Sequence, residues 1–252
     1  AQGRSDKSIS LLDEATEHCR QALGEDHAET LGCLDRLALL YYQSNQIDEA
    51  AIAYQQALEV RLRVYGEEHP KTLTSLHMLG FCHNSQDRLD LAEPLLTRAM
   101  EGRRTVLGEE DSDTMATTSC LAKLYMKQGR YDEAEPLLVR TVRYWKRLEP
   151  NKFGTGGSLM QYGTCLLAAG RYGEAESALI EAHSLMAAAL ENRMLGQKNI
   201  FMTTTTELLV KLYEAWGKPD QAAEWRAKLP ESKPESGELK WPQHLLAAGG
   251  IE

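Results

Sequence analysis

No apolar run in this chain approaches the 18 or more residues that a bilayer-spanning helix needs, so the sequence predicts no contact with a membrane. A secretory signal pattern is also missing. The chain opens on Ala1-Gln2 without an initiator Met, as expected of a processed or excerpted chain. Basic residues are outnumbered: 28 Lys and Arg face 37 Asp and Glu, a formal net charge of −9, which argues against a nucleic-acid partner gripped by its phosphates. Cysteine is limited to Cys19, Cys33, Cys82, Cys120 and Cys165. The number is odd and no CxxC pair occurs, so neither a disulfide scaffold nor a zinc site is expected. These cysteines read as small buried hydrophobes in a reducing compartment, the cytoplasm. Phenylalanine is down to 3 residues and isoleucine is sparse, while Ala, Leu and Glu abound, which favours helix over strand. Hydrophobic and charged fractions of 42% and 26% are those of an ordinary globular chain.

What the sequence does contain is repetition. Gly24-Glu25-Asp26-His27-Ala28-Glu29-Thr30 returns as Gly66-Glu67-Glu68-His69-Pro70-Lys71-Thr72 and again from Gly108 to Thr114, with a degenerate copy from Glu149 to Thr155. A second marker keeps step with it. Its alanines, Ala50, Ala92, Ala134, Ala175 and Ala222, are spaced by 42, 42, 41 and 47 residues. Between the markers, apolar residues recur at i, i+3, i+4 and i+7, as in Leu34, Leu37, Ala38 and Tyr41 or Leu121, Ala122 and Tyr125, the spacing of an amphipathic helix. A supersecondary unit repeated at this period predicts an all-α solenoid of stacked helix pairs. Small residues at the third place of each first helix (Ala38, Gly80, Ala122, Gly163) are expected to let two helices approach closely. His83 stands where three copies have Tyr and reads as a core histidine with a satisfied ring.

Leu121 to Tyr125, Gly129-Arg130-Tyr131-Asp132-Glu133-Ala134-Glu135-Pro136-Leu137 and Gly66 to Thr72 carry a resemblance to tetratricopeptide repeats of the long, kinesin-light-chain-like subtype. It covers about residues 6 to 229. The resemblance implies a right-handed superhelical solenoid of antiparallel helix pairs and a role in binding proteins or peptides. A weaker likeness, from Leu212 to Leu229, is to the C-terminal repeat of bacterial multi-repeat proteins, some of which carry an upstream Ser/Thr kinase domain. The expected organisation is an extension over 1–5, a half repeat over 6–23, helix pairs near 28–65, 69–107, 111–148, 153–194 and 199–229, and a linker and tail over 230–252.

The departures from regularity carry expectations of their own. The first helix aligns with the second helix of a repeat whose first helix is missing from this chain. Leu190 to Asn199 adds about five residues, as a longer helix or a loop. Gly154-Thr155-Gly156-Gly157-Ser158 lacks the Gly-Lys-Ser/Thr ending of a phosphate loop and reads as a helix-entry loop. In the tail, Trp241, Leu245 and Leu246 form a short apolar anchor expected to dock on this chain or on a second copy. That anchor and the uncovered first helix both point to self-association.

In the repeat register the first helices line a concave face. Its candidate binding residues are Tyr42, His77, Phe81, Asn84, Lys123, Met126, Lys127, Met160 and Lys211. The apolar members suit apolar side chains and the lysines an acidic segment, so the expected partner is a protein or peptide segment of acidic or mixed apolar character. The Lys/Asn clamp of chaperone-binding repeats is not reproduced. Histidines are scattered over repeat positions, no nucleophile, base or ligand cluster emerges, and neither catalysis, cofactor nor metal is expected. The sequence therefore predicts a non-catalytic scaffold; a ligand- or peptide-sensing regulatory domain, as the C-terminal part of a larger signalling protein such as a Ser/Thr kinase, is the alternative.

Overall fold

The structure is a computed structural model and describes residues 2–149, 153–191 and 197–230. Among these residues the chain is all-α, with no strand. A lone helix, α1 (Gln2–Leu23), is followed by helix pairs: α2 (Ala28–Gln43) with α3 (Ile47–Tyr65), α4 (Pro70–Ser85) with α5 (Leu89–Leu107), α6 (Ser112–Lys127) with α7 (Tyr131–Leu148), α8 (Phe153–Ala168) with α9 (Tyr172–Glu191), and α10 (Gln197–Ala215) with α11 (Pro219–Arg226). Two compact units are resolved, Ala1–Cys120 and Leu121–Glu252. In the first, α1 packs on α2, α2 on α3, α3 on α4 and α4 on α5; in the second, α7 packs on α8, α8 on α9, α9 on α10 and α10 on α11. No helix among the described residues is long and apolar enough to cross a membrane.

Each pair turns on one left-handed residue. Asn45, Asp87, Gly129, Gly170 and Gly217 occupy the same repeat position and have φ of 63°, 56°, 75°, 74° and 73°. The next residue then bonds back into the finished helix: Gln46 N–H to Tyr41 O at 2.8 Å, and Arg88, Arg130, Arg171 and Lys218 N–H to His83, Tyr125, Leu166 and Tyr213 O at 2.9 Å. This is the Schellman closure, which satisfies carbonyls the helix end would leave bare. Asn and Asp serve in the first two copies because their short polar side chains tolerate this region. Between pairs the chain needs a stranger geometry. Gly66 (φ 82°, ψ 178°) and Gly108 (φ 96°, ψ 165°) lie where only glycine fits without strain.

The recurring loop chemistry of the first marker is helix capping. His27 and His69 each accept the backbone N–H two residues on through Nδ1 at 3.2 Å. Asp111, at the same repeat position, accepts Asp113 N–H at 2.8 Å through Oδ1. A side-chain acceptor here satisfies one of the orphan donors of a helix start.

The core repeats as well. Ala50, Ala92, Ala134 and Ala175 are fully buried, and Ala222 nearly so. Leu96, Leu138 and Leu179 form a second fully buried column on α5, α7 and α9. Where that leucine crosses its partner helix there is no room for a side chain: a Cβ on Gly80 would sit 2.8 Å from Leu96 Cγ, and one on Gly163 would sit 2.7 Å from Leu179 Cγ. The helices thus meet at the small residues the sequence supplies. Ala134→Leu should overpack α7 against its neighbours and cost about 1–3 kcal/mol, read as a lowered thermal midpoint. An unchanged midpoint would place Ala134 outside the core.

Some elements depart from expectation. Helix α1 begins at Gln2, ahead of the start expected near Asp6, because the apolar pattern, which begins later in the helix, marks the packed face rather than the onset of backbone hydrogen bonding. Gly154 to Ser158 lie within α8 and not in a loop. Gly154 packs under Trp145, whose Cε3 would be 2.7 Å from a Cβ there, and Gly156 packs under Met186. These glycines make space for large side chains of α7 and α9. Helices α9 and α10 each take part of the Leu190–Asn199 stretch, and residues 192–196 lie outside the described residues. Pro94 and Pro136 sit inside α5 and α7 on the exposed side, and both helices run through them.

Candidate functional site

Three residue columns run along the first helices, each recurring with the repeat, and they differ in exposure. In the column of Asp35, His77, Ser119 and Met160, His77 and Met160 are buried while Asp35 and Ser119 are half-buried. Asp35 is taken up by Arg61, which binds it in a two-pronged pair, Nη1 to Oδ1 at 2.9 Å and Nη2 to Oδ2 at 2.5 Å. His77 is 4% exposed and Met160 5%. Met160 Sδ accepts the Thr205 hydroxyl at 3.6 Å, so it belongs to the packing of α8 against α10. In the first unit, the remaining columns place Tyr42 on α2 and Phe81 on α4 side by side, ring centroids 5.2 Å apart at 49°, both half-buried. His77 stacks on Phe81 from below, at 6.3 Å and 16°. Asn84 is buried and turns its amide toward Cys120 Sγ at 4.0 Å.

In the second unit Lys127 and Lys211 are exposed, and Lys123 and Met126 are half-buried. Met126 packs partly on the core around Ala122, Ala134 and Leu138. Of the nine candidates, His77, Asn84 and Met160 are therefore buried where the periodicity counted them as lining residues. The helical spacing alone does not separate a column facing a neighbouring helix from one facing solvent. The tail candidates Trp241, Leu245 and Leu246 lie outside the described residues.

His77 is held neutral. Burial strips its water and pushes its pKa well below the ordinary value near 6.5, with Arg103 adding to the effect. Its Nδ1 has no hydrogen-bond partner among the described residues. The unfolded chain binds a proton near pH 6.5 and the folded one does not, so stability is lost as pH falls below 6.5. His77→Phe should flatten the decline between pH 6.5 and 5 by up to about 1.4 kcal/mol per pH unit. Urea midpoints measured across that range check it, and parallel curves for the two proteins would contradict it. His83, by contrast, is satisfied, with Nδ1 3.2 Å from Gln86 Oε1.

Two buried arginines escaped the sequence reading. Arg61 and Arg103, 42 residues apart, are 2% and 3% exposed near the ends of α3 and α5. Each reaches the next first helix: Arg61 Nη1 donates to Ser75 Oγ at 2.5 Å, and Arg103 Nη1 to Thr117 Oγ1 at 2.8 Å. Arg103 also donates to Thr74 Oγ1 at 3.1 Å and to the Asp113 carbonyl at 3.0 Å. Their recurrence at one repeat position, on an otherwise apolar stripe, is the signal that could have found them. Among the described residues no group of three or more His, Cys, Asp or Glu side chains could hold a metal ion.

The family model of the tetratricopeptide repeat matches residues 1–63, 52–105 and 113–188, and the chain belongs to that family, whose fold is a non-catalytic binding scaffold. Similar solved structures agree on the fold. The nearly identical TPR-like repeats of a kinesin-light-chain candidate from Podosopora anserina share 23% identity with a TM-score of 0.66, over 75% of this chain and 90% of that one. BtubC (BKLC) from P. vanneervenii superposes at a TM-score of 0.71 with 16% identity, over 96% and 98% of the two chains. A Rap protein solved in complex with Competence and Sporulation Factor gives 0.62 and 16%, over 90% and 70%. No curated protein sequence matches the chain.

Proposed function

We propose that this chain is a scaffold that takes up a protein or peptide segment along the outward columns of its first helices. The observation that carries the reading is the Tyr42–Phe81 pair, two half-exposed rings in contact across successive repeats. Aromatic side chains offer large contact area with little conformational entropy to lose, and they dominate the energetics of recognition surfaces. Lys127 and Lys211 on the second unit give the same kind of helix face a positive character, suited to an acidic segment. Met126 and Lys123 flank it. His77 supports Phe81 from the interior, and Asn84 and Met160 set the spacing of the helices that carry the face. The 42-residue period, together with the likeness to kinesin-light-chain-type repeats, supports assignment to that long subtype.

A peptide selected from a random displayed library on the intact chain supplies the ligand for the test. Tyr42→Ala with Phe81→Ala should weaken its dissociation constant by about tenfold or more. Lys127→Glu with Lys211→Glu should weaken acidic peptides selectively, and added salt should reduce that difference. Unchanged affinity in both double variants, or failure to select any peptide, would overturn the reading.

A further inference from the structure

Cys19 on α1 and Cys33 on α2 bring their sulfurs within 3.8 Å of each other. Both are half-buried thiols, whereas Cys82, Cys120 and Cys165 are buried and far more enclosed. We infer that Cys19 and Cys33 are a reversible disulfide site that ties α1 to α2, closed by exchange with a small-molecule disulfide such as glutathione disulfide. The sulfurs need to close from 3.8 Å to the bonding distance of about 2 Å.

The chemistry balances in two exchanges. The Cys19 thiolate attacks one sulfur of the small disulfide, forming a mixed disulfide and releasing one thiol. Cys33 then gives up its proton, attacks the Cys19 sulfur and releases the second thiol. Two protein S–H bonds and one small-molecule S–S bond are lost; one protein S–S bond and two small-molecule S–H bonds are formed. The protein surrenders two electrons to the disulfide. The order follows from the setting of Cys33, whose thiol is raised above the usual range by burial and by the neighbouring Cys19, so it suits the resolving step. The remaining cysteines are poor competitors: burial pushes the Cys82 thiol up to about 12 and Cys165 up to about 11.

The tie has a structural consequence. Thr16 and Arg20, on either side of Cys19 in the sequence, and Leu34 and Leu37, just after Cys33, are among the residues that line a cavity of about 260 Å³, with Tyr41 and Glu49. Helix α1 stands without a pair partner among the described residues, and a covalent link to α2 would hold that wall in place.

The intact chain is incubated with glutathione disulfide and read by mass spectrometry, without reduction. The expected result is a loss of about 2 Da, reversed by dithiothreitol, with the peptides bearing Cys19 and Cys33 joined. Amide exchange in α1 should slow by about tenfold or more on oxidation. Cys19→Ser and Cys33→Ser, each checked for unchanged helix content by circular dichroism, should each abolish the link. Stable glutathione adducts on both cysteines, a cross-linked dimer, or a link through any of the other three cysteines would overturn the assignment.

Discussion

Arg61→Ala should lower the stability of the first unit by about 3 kcal/mol, measured as a shift of the urea midpoint. The guanidinium is 3% exposed and binds both Asp35 oxygens and the Ser75 hydroxyl. Removing it leaves a hydroxyl buried without its donor and a carboxylate facing a void. Asp35 remains 33% exposed, so water can recover part of its solvation, which keeps the cost at the low end for a broken buried pair. Arg103→Ala should cost as much or more, because its partner Asp113 is only 18% exposed. The control is to remove the charges together. Arg61→Met with Asp35→Leu should cost less than about 1 kcal/mol, since exchanging a whole buried pair for apolar groups is often neutral. If the double variant fell as far as Arg61→Ala, the loss would not come from the stranded Asp35 carboxylate.

The second large effect lies where α8 crosses α9. Leu179→Ala should cost about 2–5 kcal/mol, near the upper end, because Leu179 is fully buried and its opposite wall is a glycine with no side chain to fall inward. Gly163→Ala should cost about 1–3 kcal/mol for the opposite reason, a methyl forced to within 2.7 Å of Leu179 Cγ. Combined, the two changes should cost clearly less than their sum, because the new methyl fills part of the space the leucine vacates. Additive costs would show that the two positions do not meet. Gly102→Ala is the useful contrast. Its Cβ would approach Leu73 Cδ2, the far end of a flexible side chain, and should be absorbed more cheaply.

The helix-pair repeat was readable because two unrelated devices keep the same period. One is the left-handed turn column, where Asn45, Asp87 and three glycines answer one backbone need. The other is the buried alanine column from Ala50 to Ala222, where any larger residue would part the helices. Both recur once in every repeat, so they print themselves on the sequence. The candidate face was only partly readable. Phe81 and Tyr42 are half-buried rings in contact, whereas His77 and Met160 are buried against neighbouring helices. Whether an i+4 neighbour faces a helix or the solvent depends on packing across repeats, which no single helix encodes. The Cys19–Cys33 approach and the buried arginines were missed for the same reason. Arg61 looks like a surface cation until Asp35 and Ser75, from two different helices, are seen to meet it.

Photocrosslinking with a selected peptide addresses the binding claim most directly. A benzoylphenylalanine is placed singly at Phe81, Lys127 or Lys211 on the first helices, and at Ile52, Leu91 or Ile180, exposed positions on the second helices. Peptide adducts are expected from the first set and none from the second. Adducts confined to Ile52, Leu91 and Ile180 would contradict the binding claim.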